Sequence, residues 1–227
     1  MTELGREKPV HPEWTFGEKL GRCIDVVRTD GLASLWYKVV GEYCYRRLVI
    51  LEHDLPPEVQ NMKLPGHVEM RLLTLDDIDA YLDARPEGIR DDIRGRLQHG
   101  QICFTAWQEG RVVGAVWAAT GQAYIEYVDC SIALDPEQVY VYNAFTRLSH
   151  RGQHIARERA LFVAQYLQRA GYRKLLGAVM PENKAALRAP NDVGARHIGW
   201  LRRYQFGPWR RFSLKVKPGA RAFRLLE

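Results

Sequence analysis

Val139-Tyr140-Val141-Tyr142-Asn143-Ala144-Phe145-Thr146-Arg147-Leu148-Ser149-His150-Arg151-Gly152-Gln153-His154-Ile155-Ala156 is the stretch whose reading decides the fold. Its first eight residues are mostly apolar, aromatic or β-branched, which suits a buried strand. From Ile155 the spacing changes. Ile155, Ala156, Ala160, Val163, Ala164, Leu167 and Ala170 recur three and four apart, up to Gly171, which predicts a long helix. A strand therefore passes through a short turn into a helix. The first amides of such a helix have no partner within it and, with the helix dipole, can hold an anion.

Working outward, Asp135-Pro136-Glu137 turns the chain into this strand. Before it, Tyr124 to Ala133 reads as another strand, with Tyr124, Glu126, Val128 and Cys130 on one face. Ile102–Trp107 and Val112–Ala119 flank Glu109-Gly110 and read as a hairpin. Val68–Leu73 is a strand. Thr74 then precedes Leu75-Asp76-Asp77-Ile78, a good helix start running to about Ala84. Pro86 opens a charged helix with Ile89, Ile93 and Leu97 inward, ended by Gly100. After the long helix, Lys174–Val179 is a strand, Asn183 to about Arg188 a short helix, and Gly194–Phe212 a final strand or hairpin broken at Gly207-Pro208. Antiparallel runs precede one strand–helix–strand crossover. The fold class is therefore α+β: a mixed, mostly antiparallel central sheet flanked by helices.

Upstream, residues 1–14 read as an irregular N-terminus. Residues 15–55 read as a helical appendage ending in a strand at Arg46–Glu52. Thr15 with Glu18 makes a capping box, and a second helix carries Leu32, Leu35, Trp36, Val39, Val40 and Tyr43 on one side. Residues 56–66, with Pro56-Pro57 and Pro65-Gly66, read as a linker. The main domain is expected over 67–212 and a basic tail over 213–227.

The chain has 227 residues and a net charge of 33 − 27 = +6. Residues 201–227 hold eight basic groups and one acid, Glu227, so the excess is C-terminal. That suits a phosphate-rich cofactor, an acidic carrier protein, a membrane surface or simply a solvated edge. No nucleic-acid reader motif accompanies it, and nucleic acid is not expected as a partner. No uncharged run approaches the ~20 residues of a membrane span, so no transmembrane segment is expected. The polar N-terminus lacks a signal-peptide core, which places the protein in the cytoplasm as an expectation. Cys23, Cys44, Cys103 and Cys130 are widely separated in apolar segments. They show neither metal-ligand nor disulfide spacing, so no metal is expected, and they read as buried thiols.

Arg151-Gly152-Gln153-His154-Ile155-Ala156 resembles the acyl-CoA loop of the GNAT N-acyltransferase superfamily, Arg/Gln-x-x-Gly-x-Gly/Ala. Glu109-Gly110-Arg111-Val112-Val113-Gly114 resembles that family's turn into a strand ending in a small residue, and Pro181–Arg188 its segment where an Asn precedes a short helix. The order of elements over about 67–212 is likewise similar. The resemblance implies an enzyme that moves an acetyl or longer acyl group from a thioester, acetyl-CoA or another acyl-CoA, to a primary amine of a small molecule or peptide. It implies that Phe145 and Thr146 offer backbone groups to the pantetheine arm. The amides of Arg151, Gly152, Gln153, His154, Ile155 and Ala156 would hold the phosphates, and Asn183 would meet the pantetheine or its sulfur end.

Two positions depart from the pattern. His154 stands where the family has Gly, and its Cβ crowds the approach to pyrophosphate. Pro190 occupies the place of the family's usual Tyr acid. These departures keep two alternatives open, an enzyme fed by an acyl carrier protein and an inactive fold serving as a binding scaffold. Among the residues themselves, Glu126 is the first candidate base, in a strand beside the central one, against the alternative of an ion-paired surface carboxylate. Tyr142 is expected on the same face as Tyr140 and Thr146, lining the cleft, against the alternative of plain aromatic packing. Asp129 and Tyr204 are weaker candidates, and His150 and His197 read as ordinary polar histidines. A homodimer through the last strands is a further expectation.

Overall fold

The computed structural model of the protein describes residues 44–188 and 194–226. The two helices expected before residue 44, Cys23 and the position of Pro190 lie outside the described residues. The chain divides into two compact units, Arg47–Arg203 with Phe212–Glu227, and Met1–Arg46 with Tyr204–Arg211. In the smaller one, the rings of Tyr45 and Tyr204 lie 5.2 Å apart, and Gln205 N donates to Cys44 O at 2.8 Å.

The strands are β1 (Tyr45–Asp54), β2 (Glu69–Leu72), β3 (Ile102–Gln108), β4 (Arg111–Thr120), β5 (Gln122–Ile125), β6 (Cys130–Ala133), β7 (Gln138–Thr146), β8 (Lys174–Val179), β9 (Arg196–Phe206), β10 (Trp209–Val216) and β11 (Arg224–Leu226). The helices are α1 (Ile78–Ala84), α2 (Arg90–Gln98), α3 (Ile155–Arg169) and α4 (Lys184–Arg188). Among the described residues, the main sheet runs β10-β9-β1-β8-β7-β4-β3-β2, and a second sheet runs β11-β6-β5. The β7/β8 pair is parallel, and β1/β8, β2/β3, β3/β4 and β4/β7 are antiparallel. This is the mixed, mostly antiparallel α+β sheet that the sequence predicts.

Local chemistry explains the elements. Thr74 and Asp77 form a capping box ahead of α1, with Thr74 N and Oγ1 both bonded to Asp77 Oδ2. Glu109 and Gly110 both take positive φ, as the two-residue β3–β4 hairpin requires. α3 buries Ile155, Val163, Ala164 and Leu167, each larger side chain contributing about 1.5–3 kcal/mol. With Val59, it covers one face of the sheet, packing on Phe104, Val116, Ala118, Val139 and Leu175. On the other face, Ile78, Tyr81 and Ile93 of α1 and α2 pack on Cys103, Ala115 and Trp117. The second sheet packs on that same face through Ile125, Ile132 and Phe223, against Ala119, Tyr140 and Leu176.

Four expectations are corrected. The strand assigned to the appendage, β1, pairs with β8 from Val49↔Val179 to Asp54↔Lys174. Its run of buried residues, Leu48–Leu51, needs cover on both faces, which only an interior strand receives. The expected linker is pinned down: Gln165 Nε2 donates to Val59 O and Met62 O, and Val59 is buried. The expected tail contains the end of β10, buried Phe223, and β11 paired with β6. Finally, 124–133 is no single strand. It folds back as β5 and β6 through a 3-10 turn, Glu126–Val128, with Asp129 at φ 53°. No helix among the described residues is long and apolar enough to cross a membrane.

Candidate functional site

β7 and β8 pair from Gln138↔Lys174 only to Val141↔Gly177. β7 continues to Thr146 and β8 to Val179, so the two part at the centre of the sheet. Within the same stretch β7 carries a bulge. Tyr142 opposes Trp117 and Phe145 opposes Ala115, so three steps on β7 match two on β4. Asn143 supplies the extra residue at φ 50°. The bulge reverses the alternation. Phe145 shares a face with Tyr142, and both pack against Ala115 and Trp117. Thr146 turns to the α3 face, contrary to the expectation that Tyr142 and Thr146 lie together. The Arg147 amide donates to Val113 O at 2.8 Å. By strand alternation the backbone groups of Phe145 also face β4. Those of Ala144 and Thr146 face the opposite edge, where β8 is no longer paired.

The turn after β7 leads into α3. Gly152 takes φ 81° and His154 φ 60°, ψ 9°. His154 is the N-cap, and no side chain caps the helix. The first amides of α3 are therefore presented outward from the loop, as an anion seat requires. Holding a non-Gly residue in this left-handed region costs about 1–2 kcal/mol. Arg151 Nε reaches Thr146 O at 3.4 Å, and Gln153 Nε2 reaches Ser149 O at 3.4 Å. A cleft of about 650 Å³ opens between the end of α1 and this turn, lined by Ala84, Arg85, Glu87, Phe145, Thr146 and Arg151 among others.

On the face shared by α1 and α2, a polar cluster adjoins the bulge. Arg96 of α2 lies 5.6 Å from the Trp117 ring and 5.5 Å from the Tyr142 ring. Its Nη2 pairs with Glu126 Oε1 at 2.7 Å. Glu126 is thus in a half-exposed turn of the second sheet, not in a strand beside β7, because the chain reverses at Asp129. The Tyr142 ring stacks on Tyr140 at 5.7 Å and 10°, and its hydroxyl donates to Gln101 Oε1. Burial pushes the Tyr142 phenol well above its ordinary range, against a lowering influence from Arg96.

The remaining candidates are dispersed. Asn183 Oδ1 accepts from Ala186 N at 3.0 Å and caps α4. Asp129 accepts from the Tyr124 hydroxyl. Ser149 Oγ and His150 Nδ1 lie 2.8 Å apart, and His197 Nε2 lies 2.8 Å from Gly199 O. Tyr204 belongs to the smaller unit. Burial raises the thiol pKa of Cys103, and pushes that of Cys130 up to about 11, so both stay protonated.

Two cationic residues stand in the site unforeseen. Arg96 bridges the acidic turn and the aromatic face. Arg159 is 6% exposed, and its Nη1 donates to Phe145 O. A signal for Arg159 existed: it sits four residues after Ile155 and four before Val163, on the buried stripe of α3.

The parted parallel strand pair leaves open backbone groups beside a helix start that no side chain caps. The model of the acetyltransferase (GNAT) family matches residues 70–194, more than half of the chain, and the protein belongs to that family. It is an N-acyltransferase-type enzyme by that membership. Among solved structures, a GNAT-family acetyltransferase from Colwellia psychrerythraea is similar at 14% identity, covering 91% of this chain and 75% of the other, with a TM-score of 0.52. The glucosamine N-acetyltransferase region of a fungal multi-domain β-N-acetylglucosaminidase is similar at 14% identity, with 75% and 22% covered and a TM-score of 0.51. The aminoglycoside enzyme AAC(6')-Iy, in complex with a CoA-containing bisubstrate analogue, shares 20% identity over 57% of this chain and 90% of its own, with a TM-score of 0.46. No curated protein matches the sequence.

Proposed function

We propose that this enzyme transfers an acetyl group from acetyl-CoA to a primary amine of a small molecule or peptide, by direct attack. The observation that carries this reading is the parting of β7 and β8 after Val141↔Gly177, next to the uncapped start of α3. The donor's amide-rich arm would lie along the open edge of β7, on the backbone groups of Ala144 and Thr146. Its phosphates would sit on the amides from Arg151 to Ala156, with the Arg151 side chain beside them. The Asn183 amide would meet the sulfur end. Phe145, expected to contribute backbone, would instead line the cleft with its ring.

In the reaction a neutral amine would add to the thioester carbonyl, forming the C–N bond, and the tetrahedral intermediate would then collapse with loss of the C–S bond. A backbone amide of the open edge would stabilise the oxyanion of the tetrahedral intermediate. Glu126 would take the amine's proton through water, and the neutral Tyr142 hydroxyl would turn from Gln101 to donate its hydrogen bond toward the departing thiolate. Titration of the protein with acetyl-CoA, in parallel with an acyl-pantetheine phosphate lacking ADP, tests the donor. Micromolar binding of acetyl-CoA is the expected result, followed by a screen of amines for thiol release. Binding of the truncated donor alone would replace CoA with a carrier protein. Binding of neither by the folded protein would overturn the reading.

A further inference from the structure

Arg159 is 6% exposed, and among the described residues no carboxylate forms an ion pair with it; besides burial, the one influence on its charge is the Cys103 thiol. The neighbouring Glu158 is also buried, but that carboxylate accepts the amides of Gly66 and His67 at 2.8 and 3.3 Å. Burial lowers the guanidinium to about pKa 10, which still leaves it charged near neutrality. A charge so placed is costly, and a Leu or Met on the same stripe of α3 would pack without that cost. The fold nevertheless makes room for it. A Cβ on Gly114 would lie 2.9 Å from Arg159 Nη1 and 3.0 Å from Phe145 O. Gly114 opposes Thr146 across β4/β7, so the guanidinium reaches β7 through the gap that a missing side chain leaves.

What it reaches is the strand end just past the bulge: Phe145 O and, at 3.4 Å, Thr146 Oγ1. The segment stays paired with β4 on one edge, but β8 no longer braces the other. A rigid planar donor with two acceptors is well suited to hold it. We propose that Arg159 is a positioning residue for acyl transfer: through Phe145 and Thr146 it fixes the open-edge amides of β7 against the thioester carbonyl. This rests on the donor reading given above. Arg159 does not touch the donor. It decides whether the polarising amide is in place when the donor arrives.

The test is infrared difference spectroscopy of acetyl-CoA with an isotope-labelled carbonyl, bound to wild type, Arg159→Met, Arg159→Lys and Gly114→Ala, with binding measured by titration. The expected result is a carbonyl band shifted to lower frequency on the wild-type enzyme. Arg159→Met and Gly114→Ala are expected to bind within about threefold of wild type, as the phosphate contacts remain, yet to lose the shift. Arg159→Lys keeps the charge but lacks the fork, and should recover part of it. Gly114→Ala retains Arg159 and presses on both its guanidinium and Phe145 O, so it disturbs the same contact without removing the charge. Should Arg159→Met fail to fold, the other two variants carry the test. A shift unchanged in the variants, or absent from donor-bound wild type, overturns the inference. No binding of acetyl-CoA by wild type overturns the donor reading instead.

Discussion

Tyr142 and Phe145 lie three positions apart on β7 and yet share one face of the sheet, because Asn143 is inserted between them at φ 50°. That inserted residue aims Phe145 at the cleft, sends Thr146 toward Arg159, and leaves the edge of β7 open beyond the last pair with β8.

The bulge should therefore respond to backbone preference rather than to side-chain chemistry. Asn143→Gly is expected to retain acetyl-CoA binding, since Gly accepts positive φ without a steric cost. Asn143→Val is expected to lose about 1–2 kcal/mol, and to weaken acetyl-CoA by at least tenfold as the register slips. Thermal melts and titration calorimetry of the two variants check this.

His154 holds the left-handed corner at the start of α3. His154→Gly relieves about 1–2 kcal/mol of strain and gives back about 0.4–1 kcal/mol in unfolded-chain entropy. A small rise in melting temperature is expected, with acetyl-CoA affinity raised several-fold as the Cβ leaves the loop. A clear loss of affinity would show instead that the imidazole itself holds a phosphate.

Glu126 and Tyr142 should separate by kinetics. Glu126→Gln is expected to lower kcat about 10²-fold, the usual share of a general base. Its stability should change by under about 1 kcal/mol, because the pair with Arg96 is half-exposed. Tyr142→Phe keeps the stack on Tyr140 and loses the bond to Gln101, a cost of about 1 kcal/mol. With its phenol raised by burial, Tyr142 should give the wild-type kcat profile no alkaline limb below about pH 10. Steady-state rates across pH, once an acceptor amine is found, check the two kinetic statements, and denaturant melts of the two variants check the stability changes.

Glu52 anchors β1 far from the cleft. It is fully buried, and bonds Lys174 Nζ at 2.9 Å and Arg196 Nη2 at 2.7 Å. Burial alone would raise its pKa; the bonds from Lys174 and Arg196 outweigh that and leave it lowered. A carboxyl whose folded pKa is lowered contributes stability that is complete above its unfolded pKa. That stability is lost as the pH falls through the folded pKa. Glu52→Gln is expected to cost about 1–2 kcal/mol at neutral pH and to flatten the acid side of the stability profile. Denaturant melts from acidic to neutral pH check the sign.

Whatever depends on neighbours along the chain was legible in the residues. The apolar run of Val139–Thr146 as a strand, the three-and-four spacing from Ile155 to Leu167, the Glu109-Gly110 turn and the Thr74–Asp77 cap all act within a few positions, and each element forms where its pattern lies. The order of those elements was enough to expect a mixed sheet and the family resemblance. Long-range pairing was not legible. A buried apolar run such as Leu48–Leu51 states that it needs two covered faces, but not that β8 and β9 supply its neighbours. The reversal at Asp129 removed Glu126 from the central sheet, and the bulge at Asn143 exchanged the faces of Phe145 and Thr146. Both turn on a single residue in a left-handed conformation, which Asn and Asp adopt at little cost and which no hydropathy pattern marks. Arg159 was hidden for a different reason. A charged residue on a helix reads as solvent-facing until the sheet packed against it offers a glycine gap and a carbonyl, and only the tertiary structure brings Gly114 and Phe145 to that place.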